Sequence, residues 1–358
     1  MYKFDWIEKR KLRRAEPPPA RAAVHAMVWK LGFTSLLTDI SSEMVNSLLP
    51  VYLVLHLHMS PLQFGAIDGL YSGMAVALLA LLGGFIADRT RRQKEVATAG
   101  YAASAICKLL LLAVGGAWGW IAAVVALDRT GKGVRTAPRD ALISLWNRPE
   151  SLATAFALHR ALDAGGALLG PVIAFLLLSR LPGAFDAVWL TSFVFALLGL
   201  AVLWLFVENP DAATMPARPP ISWRAFSEHA VGRRFWMLAL IGALLFVMTV
   251  SDGFLYLLIQ KRTGASMTFF PLFYLATAGC YMLCSIPLGR IADRFGRKLV
   301  FFSGYAALAS IYALLLFYAG GNLIWCGACL FLFGFYYAAT EGVLAAMASV
   351  AIAAEYRT

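Results

Sequence analysis

Two carboxylate side chains stand four residues apart in an otherwise uncharged stretch near the start of the chain. Asp39 and Glu43 belong to the run TSLLTDISSEMV, and this spacing puts both on one face of a helix. Two like charges on one face favour a proton on one of them, so the pair is suited to loading and releasing protons. The alternative is a structural role, in which both acids stay ionised beside basic partners.

A second set of charges lies in two later apolar stretches. The run LDRTGKGVRTAPRDAL carries Arg129 and Lys132, and the run LHRALDAGG carries Arg160 and Asp163. These four residues either line a proton-coupling and substrate cavity or pair with one another to hold helices together, and pairing is slightly favoured. Charged or titratable neighbours share the same two stretches: Asp128, Arg135, Arg139 and His159.

The remaining intramembrane acids are isolated. Asp252 and Glu341 each stand in an apolar stretch, where a charge is costly and indicates function. Either acid faces the cavity, or Glu341 pairs with a loop arginine. Asp68 and Lys108 are expected to be peripheral, with the alternative that Lys108 snorkels or pairs, and neither residue is assigned a role. The histidines and cysteines form no tetrahedral ligand set, so neither a metal nor another cofactor is expected.

Composition predicts which elements must position these charges. Of 358 residues, 60% are apolar and only 14% are charged, whereas soluble domains carry about 25% charged residues. This excludes an ordinary soluble enzyme. The net charge of +11 indicates membrane topology rather than nucleic-acid binding, because the basic residues cluster between apolar stretches.

Ten apolar stretches are long enough to cross a bilayer, which takes roughly 20 residues each. The predicted fold class is therefore an all-α polytopic membrane protein, with spans at 28–57, 61–87, 96–114, 118–142, 152–179, 186–206, 234–259, 267–291, 299–319 and 322–348. Basic loops alternate with loops poor in Lys and Arg, which places the N-terminus and the basic loops in the cytoplasm. The predicted organisation is a basic tail at 1–27, a six-helix bundle at 28–206, a cytoplasmic linker at 207–233 and an incomplete four-helix bundle at 234–358.

The two bundles are duplicates. Shifting the sequence by 205 positions aligns residues 84–120 with residues 289–325 without a gap, and 14 of the 37 aligned positions are identical. A repeat of this length and position is typical of a transporter built from two related halves. The aligned blocks begin with GFIADRTRRQK and GRIADRFGRKL.

Both blocks resemble the cytoplasmic loop motif of the major facilitator superfamily. The second copy matches throughout, whereas the first has Arg91 where glycine is usual. The acidic first helix and the stretch GKGVRTAPRDAL are similar to a prokaryotic subgroup of that superfamily. The resemblance implies two bundles that rock about a central site, and a loop motif that gates the cytoplasmic face. The motif residues are Gly84, Asp88, Arg89, Arg92, Gly289, Asp293, Arg294, Gly296 and Arg297.

The fifth stretch carries a further resemblance. Gly166, Gly170 and Pro171 are similar to the glycine and proline motif of antiporters in the superfamily, which implies close helix approach and a bend. The superfamily pattern has twelve helices, and this chain stops before the eleventh. We therefore expect either a fragment of a longer protein or a protein that lacks two helices.

The resemblance implies a secondary active transporter of the inner membrane, driven by an ion gradient, rather than an enzyme. The expected function is proton-coupled efflux of a small, partly apolar compound by alternating access. The expected partners are the lipid bilayer, a small-molecule substrate and protons, with no nucleic acid, and the expected state is a monomer. The alternatives are metabolite uptake by symport or uniport, and a non-transporting sensor or degenerate relative.

Overall fold

The computed structural model describes residues 24–72, 75–148, 151–209, 233–317 and 321–351, and all regular structure in these ranges is helical. The first half contains α1 (Ala26–Asn46), α2 (Pro61–Ser72), α3 (Ala75–Thr90), α4 (Gln93–Ala113), α5 (Trp118–Leu145), α6 (Leu152–Arg180) and α7 (Phe185–Phe206). The second half contains α8 (Arg233–Met248), α9 (Asp252–Thr263), α10 (Phe270–Phe295), α11 (Arg297–Phe317) and α12 (Leu323–Ala351). The basic tail and most of the linker lie outside the described residues.

Six helical segments in the described ranges are long and apolar enough to cross a membrane. They are Gln93–Ala113, Thr154–Arg180, Phe185–Phe206, Met267–Phe295, Arg297–Phe317 and Leu323–Glu341. The predicted stretches 61–87 and 234–259 each contain two shorter helices. The predicted all-α membrane architecture is therefore confirmed, while the count of ten spans stays a prediction.

Two predicted spans are not continuous helices. The stretch 28–57 consists of α1, a short turn at Leu49–Val51 and a π-helical turn at Tyr52–His56. Pro50 stands at this break, where a missing amide disfavours continuation of α1. The stretch 234–259 breaks before Asp252, and the amide of Val250 at this break donates to the Tyr312 hydroxyl at 3.0 Å.

Helix packing divides the first half into two layers that share α7. Helix α1 packs against α6 and α7, while α4 packs against α5 and α7. In the second half, α12 packs against both α10 and α11. The halves meet where α6 contacts α10 and where α9 contacts the turn at Leu49–Val51. The charged stretches on α1, α5 and α6 thus lie within one bundle.

Aromatic contacts join the two halves at one end of the molecule. We call the end that carries the loops after α3 and α10 the basic-loop end, and the opposite end the far end. At the far end the rings of Phe64 and Phe254 meet edge to face, with centroids 4.7 Å apart. A Cβ atom at Gly253 would lie 2.6 Å from the Phe64 ring, so the glycine permits this contact. The two halves are therefore in direct contact at the far end.

Candidate functional site

Helices α1 and α6 approach closely at two glycines. A Cβ atom at Gly166 would lie 2.4 Å from the backbone oxygen of Leu36, and one at Gly170 would lie 2.8 Å from that of Ile40. Larger side chains would force the two backbones apart. Helix α6 continues through Pro171 without interruption. The glycines predicted to belong to a helix bend therefore form the surface against which α1 packs.

This close contact places Asp39 of α1 beside Asp163 of α6. Their carboxyl groups lie close enough to interact, and the Ser35 hydroxyl donates to Asp163 Oδ1. An ionised carboxylate only accepts hydrogen bonds, so a bond between two carboxyl groups requires a proton on one of them. Two cations lie nearby, because Lys132 interacts electrostatically with Asp39 and Arg139 Nη1 is 3.4 Å from Ser35 Oγ. Two adjacent carboxyl groups beside these cations are suited to hold one proton between the two helices.

Glu43 occupies the next turn of α1 at the same contact. Its Cβ atom would be 2.9 Å from a Cβ atom at Gly170, just as the Asp39 Cβ atom would be 3.1 Å from one at Gly166. The Glu43 carboxylate accepts a hydrogen bond from Asn46 Nδ2 at 2.9 Å. Asp39 and Glu43 therefore share a helix face. The carboxyl group beside Asp39 is not that of Glu43 but that of Asp163 on α6.

A second buried acid has a different set of partners. Asp128 of α5 accepts hydrogen bonds from Lys108 Nζ at 2.7 Å, from Arg129 Nη2 at 2.5 Å and from Ser104 Oγ at 2.5 Å. All three charged residues are buried. An adjacent cavity of about 10 Å³, lined in part by Ser42, has room for about one water molecule. Of the alternatives for Lys108, the structure has pairing and not a peripheral position, because Lys108 ends inside the bundle on Asp128.

The remaining arginine of α5 also points inward. The Arg135 guanidinium lies 4.2 Å from the ring centroid of Tyr101 on α4, and both side chains are buried. A Cβ atom at Gly131 would lie 2.7 Å from the backbone oxygen of Gly100. These contacts fix α4 against α5 beside the acid sites.

Two exposed charges from opposite halves surround one tyrosine. Arg160 of α6 and Glu341 of α12 are exposed, and both interact electrostatically with the Tyr281 side chain of α10. The pairing of Glu341 with a loop arginine is not the arrangement found among the described residues. A positive and a negative group therefore stand at the boundary between the halves.

Asp252 lies near the far end, close to side chains of both halves. Tyr337 of α12 donates a hydrogen bond to Asp252 Oδ1 at 2.5 Å, and Asp68 of α2 interacts electrostatically with the same carboxyl. Asp68 was expected to be peripheral, but in the structure it lies on the side of α2 that is near the start of α9. Asp252 thus begins a short helix at the break instead of standing inside a continuous span.

Some participants in these sites were absent from the predicted set. Ser35 precedes Asp39 by four residues, and Ser104 precedes Lys108 by four, so helical spacing alone gives the signal for both. Tyr337 comes from the other end of the second half, and no local spacing connects it with Asp252.

The chain is similar to known proteins in both sequence and structure. The profile described as Major Facilitator Superfamily matches residues 31–358. The chain belongs to this superfamily. An uncharacterised MFS-type transporter of Methanocaldococcus jannaschii is 33% identical over 286 residues, which cover 78% of this chain and 69% of that protein. An uncharacterised protein of Mycobacterium tuberculosis is 29% identical over 272 residues, covering 75% and 65%. The chain thus spans about two thirds of the length of these relatives.

Solved transporters share the fold of this superfamily member. The nucleoside transporter NupG gives a TM-score of 0.72 at 16% identity, covering 91% of this chain and 82% of that one. A peptide transporter POT gives 0.66 at 14% identity, covering 98% and 87%. Identities this low show the fold alone. Together with the family match, they confirm the predicted superfamily and a membrane transporter rather than an enzyme.

The two copies of the superfamily loop motif differ in backbone conformation. In the second copy, α10 ends at Phe295 and α11 begins at Arg297, with Gly296 at φ +110° between them. In the first copy, Arg91 adopts φ +55°. Arg297 lies 3.7 Å from Asp293 in an exposed ion pair. The other motif residues lie at the basic-loop end or in the adjoining helices: Gly84, Asp88, Arg89, Arg92, Gly289 and Arg294.

Proposed function

We propose that this transporter exports a small, partly apolar compound in exchange for protons. The observation that carries the proposal is the close pairing of the Asp39 and Asp163 carboxyl groups between α1 and α6, which favours one proton shared by the two. An ionisable group inside a membrane bundle is costly and marks a proton or substrate pathway. A carboxyl pair that holds one proton has two protonation states, which is what a proton carrier requires.

Loss of that proton changes the charge balance between the helices. Asp39 and Asp163 would then be two adjacent carboxylates, while Lys132 and Arg139 supply the nearby positive charge. The repulsion favours a species that restores the balance, which is either a new proton or a cationic group on the substrate. Competition between these two species for one site is the simplest basis for exchange, because each ligand disfavours the other.

Alternating access is supported by the boundary between the halves. The Phe64 and Phe254 rings close the far end, which faces outside in the predicted topology. Arg160 and Glu341 are exposed at the boundary between the halves, where a solute with polar and apolar parts would meet both. The proposed cycle rocks the two halves so that the acid pair is reached from one side and then from the other.

Transport into proteoliposomes would test the proposal. The full chain is reconstituted with the membrane potential clamped, and ethidium uptake is followed after a pH step. Ethidium is a permanent cation with an apolar ring system, so a pH difference does not trap it passively. Antiport predicts uptake into an acidic lumen and release of lumenal protons, reported by a trapped pH dye.

Two variants make the test specific. Asp39→Asn removes the shared proton and should abolish pH-driven uptake while ethidium exchange at equal pH continues. Asp186→Asn, which changes an exposed acid in the first turn of α7, should behave like the parent. Uptake into an alkaline lumen would indicate symport instead. Unchanged pH-driven uptake in Asp39→Asn would remove the acid pair from the mechanism.

A further inference from the structure

A buried histidine stands one helical turn from the acid pair. His159 of α6 is 2% exposed, and its Nε2 atom has no hydrogen-bond partner among the described residues. Buried polar atoms are nearly always hydrogen-bonded, so an unused imidazole nitrogen calls for an explanation. A nitrogen with a free lone pair is also the atom to which a proton can be added.

The surroundings of His159 connect it to the acid pair. Asp163 follows four residues later on the same helix, so both side chains lie on one face. Ionisable groups of α5 and of α6 itself act on the imidazole: Arg139 and Asp140 from α5, and Arg160 and Asp163 from α6. The same Arg139 lies against Ser35, which donates to Asp163. His159 and the acid pair therefore form one polar cluster.

The positions of His159 and Asp163 along α6 determine which of them is nearer the basic-loop end. Helix α6 begins at Leu152, which follows the basic loop after α5, and proceeds through His159 to Asp163. His159 thus lies between the basic-loop end and the acid pair. A proton that enters from the basic-loop end reaches the imidazole one turn before it reaches the carboxyl.

We propose that His159 relays protons between the basic-loop end and the Asp39–Asp163 pair, an inference that rests on the proton-coupled function proposed above. Neutral His159 accepts a proton from water at Nε2 and becomes an imidazolium. The imidazolium then gives a proton to a carboxylate of the pair, which becomes a carboxylic acid, and the imidazole returns to its neutral form. The steps run in reverse when the pair unloads toward the same side.

The relay predicts a kinetic effect that a purely structural histidine would not produce. After a rapid drop in pH, the carbonyl infrared band of the protonated acid pair should rise in the full chain in lipid nanodiscs. This band is identified as the part of the signal lost in Asp39→Asn. His159→Gln keeps a polar side chain but cannot carry the proton, so it should slow the rise by about tenfold or more. The final amplitude should match that of the parent.

A matched control and a measurement without mutation complete the test. His56→Gln, at an exposed far-end histidine, should leave the rate unchanged. In the unmodified chain, His159 should exchange its ring C2 hydrogen for deuterium at a rate that changes with pH. That exchange requires a protonated imidazole in contact with water.

The outcomes separate the relay from the proposed function. An unchanged rate in His159→Gln, or the absence of C2 exchange at His159, would overturn the relay. A slowed rise with full amplitude, or pH-dependent exchange if the variant does not fold, supports it. If the parent shows no band that depends on Asp39, the shared proton itself is absent and the proton-coupled function fails with it.

Discussion

The two halves of the molecule come from one duplicated sequence, yet their interiors differ in chemistry. In the first half, ionised groups of both signs are buried between α4 and α5. In the second half, Asp252 is bonded to a neutral tyrosine, beside packed rings that include Tyr256, Phe270 and Phe333. The duplication has kept the helix order and the loop motif, while the interior side chains have diverged. The first half supplies ionic chemistry and the second supplies aromatic and hydroxyl surfaces.

The first half itself contains two kinds of buried acid. Asp128 is bonded to two cations and a hydroxyl, so its negative charge is fully compensated and it is expected to stay ionised throughout a cycle. Asp39 lies beside another carboxyl group, that of Asp163, and a hydrogen bond between the two exists only while a proton is present. The partner of an intramembrane acid, more than its burial, therefore separates a structural role from a proton-carrying one.

The largest effect is expected at the compensated acid. Asp128→Asn leaves Lys108 buried without its counter-ion, removes one partner of Arg129, and should destabilise the fold by about 3–5 kcal/mol. The measurement is the midpoint temperature at which detergent-solubilised protein loses its monodisperse peak. Asp39→Asn should cost far less, because an amide replaces a carboxyl that is already protonated or shares a proton. Equal midpoints for the two variants would remove the distinction between the acids.

A second substitution sharpens that result. Adding Lys108→Met to Asp128→Asn removes the buried cation that has lost its counter-ion and should recover part of the lost stability. No recovery would mean that the Asp128 carboxylate stabilises the helices through Ser104 or Arg129 alone.

The sequence predicted the architecture better than it predicted the contacts. The length of the apolar stretches and the repeat at an offset of 205 positions predicted two helical halves. Both signals can be read from the order of the residues without knowledge of contacts between helices. Helical spacing also predicted that Asp39 and Glu43 share a face. The break before Asp252 was missed, because the apolar character of the stretch continues through it and the capping partner, Tyr312, is distant in sequence.

The partners of the acids could not be derived from spacing. Asp163 lies beside Asp39 because two glycines let α6 approach α1, a consequence of packing rather than of pattern. The position of Lys108 could not be chosen from the sequence for the same reason. A lone lysine in an apolar stretch is equally consistent with an exposed or a paired side chain. Pairing between helices that are distant in sequence needs the tertiary structure.

A smaller effect is expected where helix packing creates the acid pair. A valine at position 166 places side-chain atoms against the backbone of α1 at Leu36, and overpacking of this kind costs about 1–3 kcal/mol. Gly166→Val should also separate Asp39 from Asp163, so the infrared band of the protonated pair should disappear. Gly165→Ala is the matched control, because a Cβ atom there has its nearest neighbour, Leu36 Cδ1, at 4.0 Å. A persistent band in Gly166→Val would show that the pair does not depend on close contact.

The smallest effect is expected at the loop motif, where the two halves remain most alike in sequence. Gly296 has φ +110° and ψ +132°, a region that side chains rarely enter, whereas Arg91 at φ +55° lies in the left-handed region that other residues can occupy. Gly296→Ala should therefore lower stability by about 1 kcal/mol through backbone strain. Gly289→Ala, within α10 and without a neighbour at 4 Å among the described residues, should be neutral or slightly stabilising. If both alanines are neutral, the loop tolerates a side chain at Gly296, and the glycine and Arg91 are equivalent solutions to the same turn.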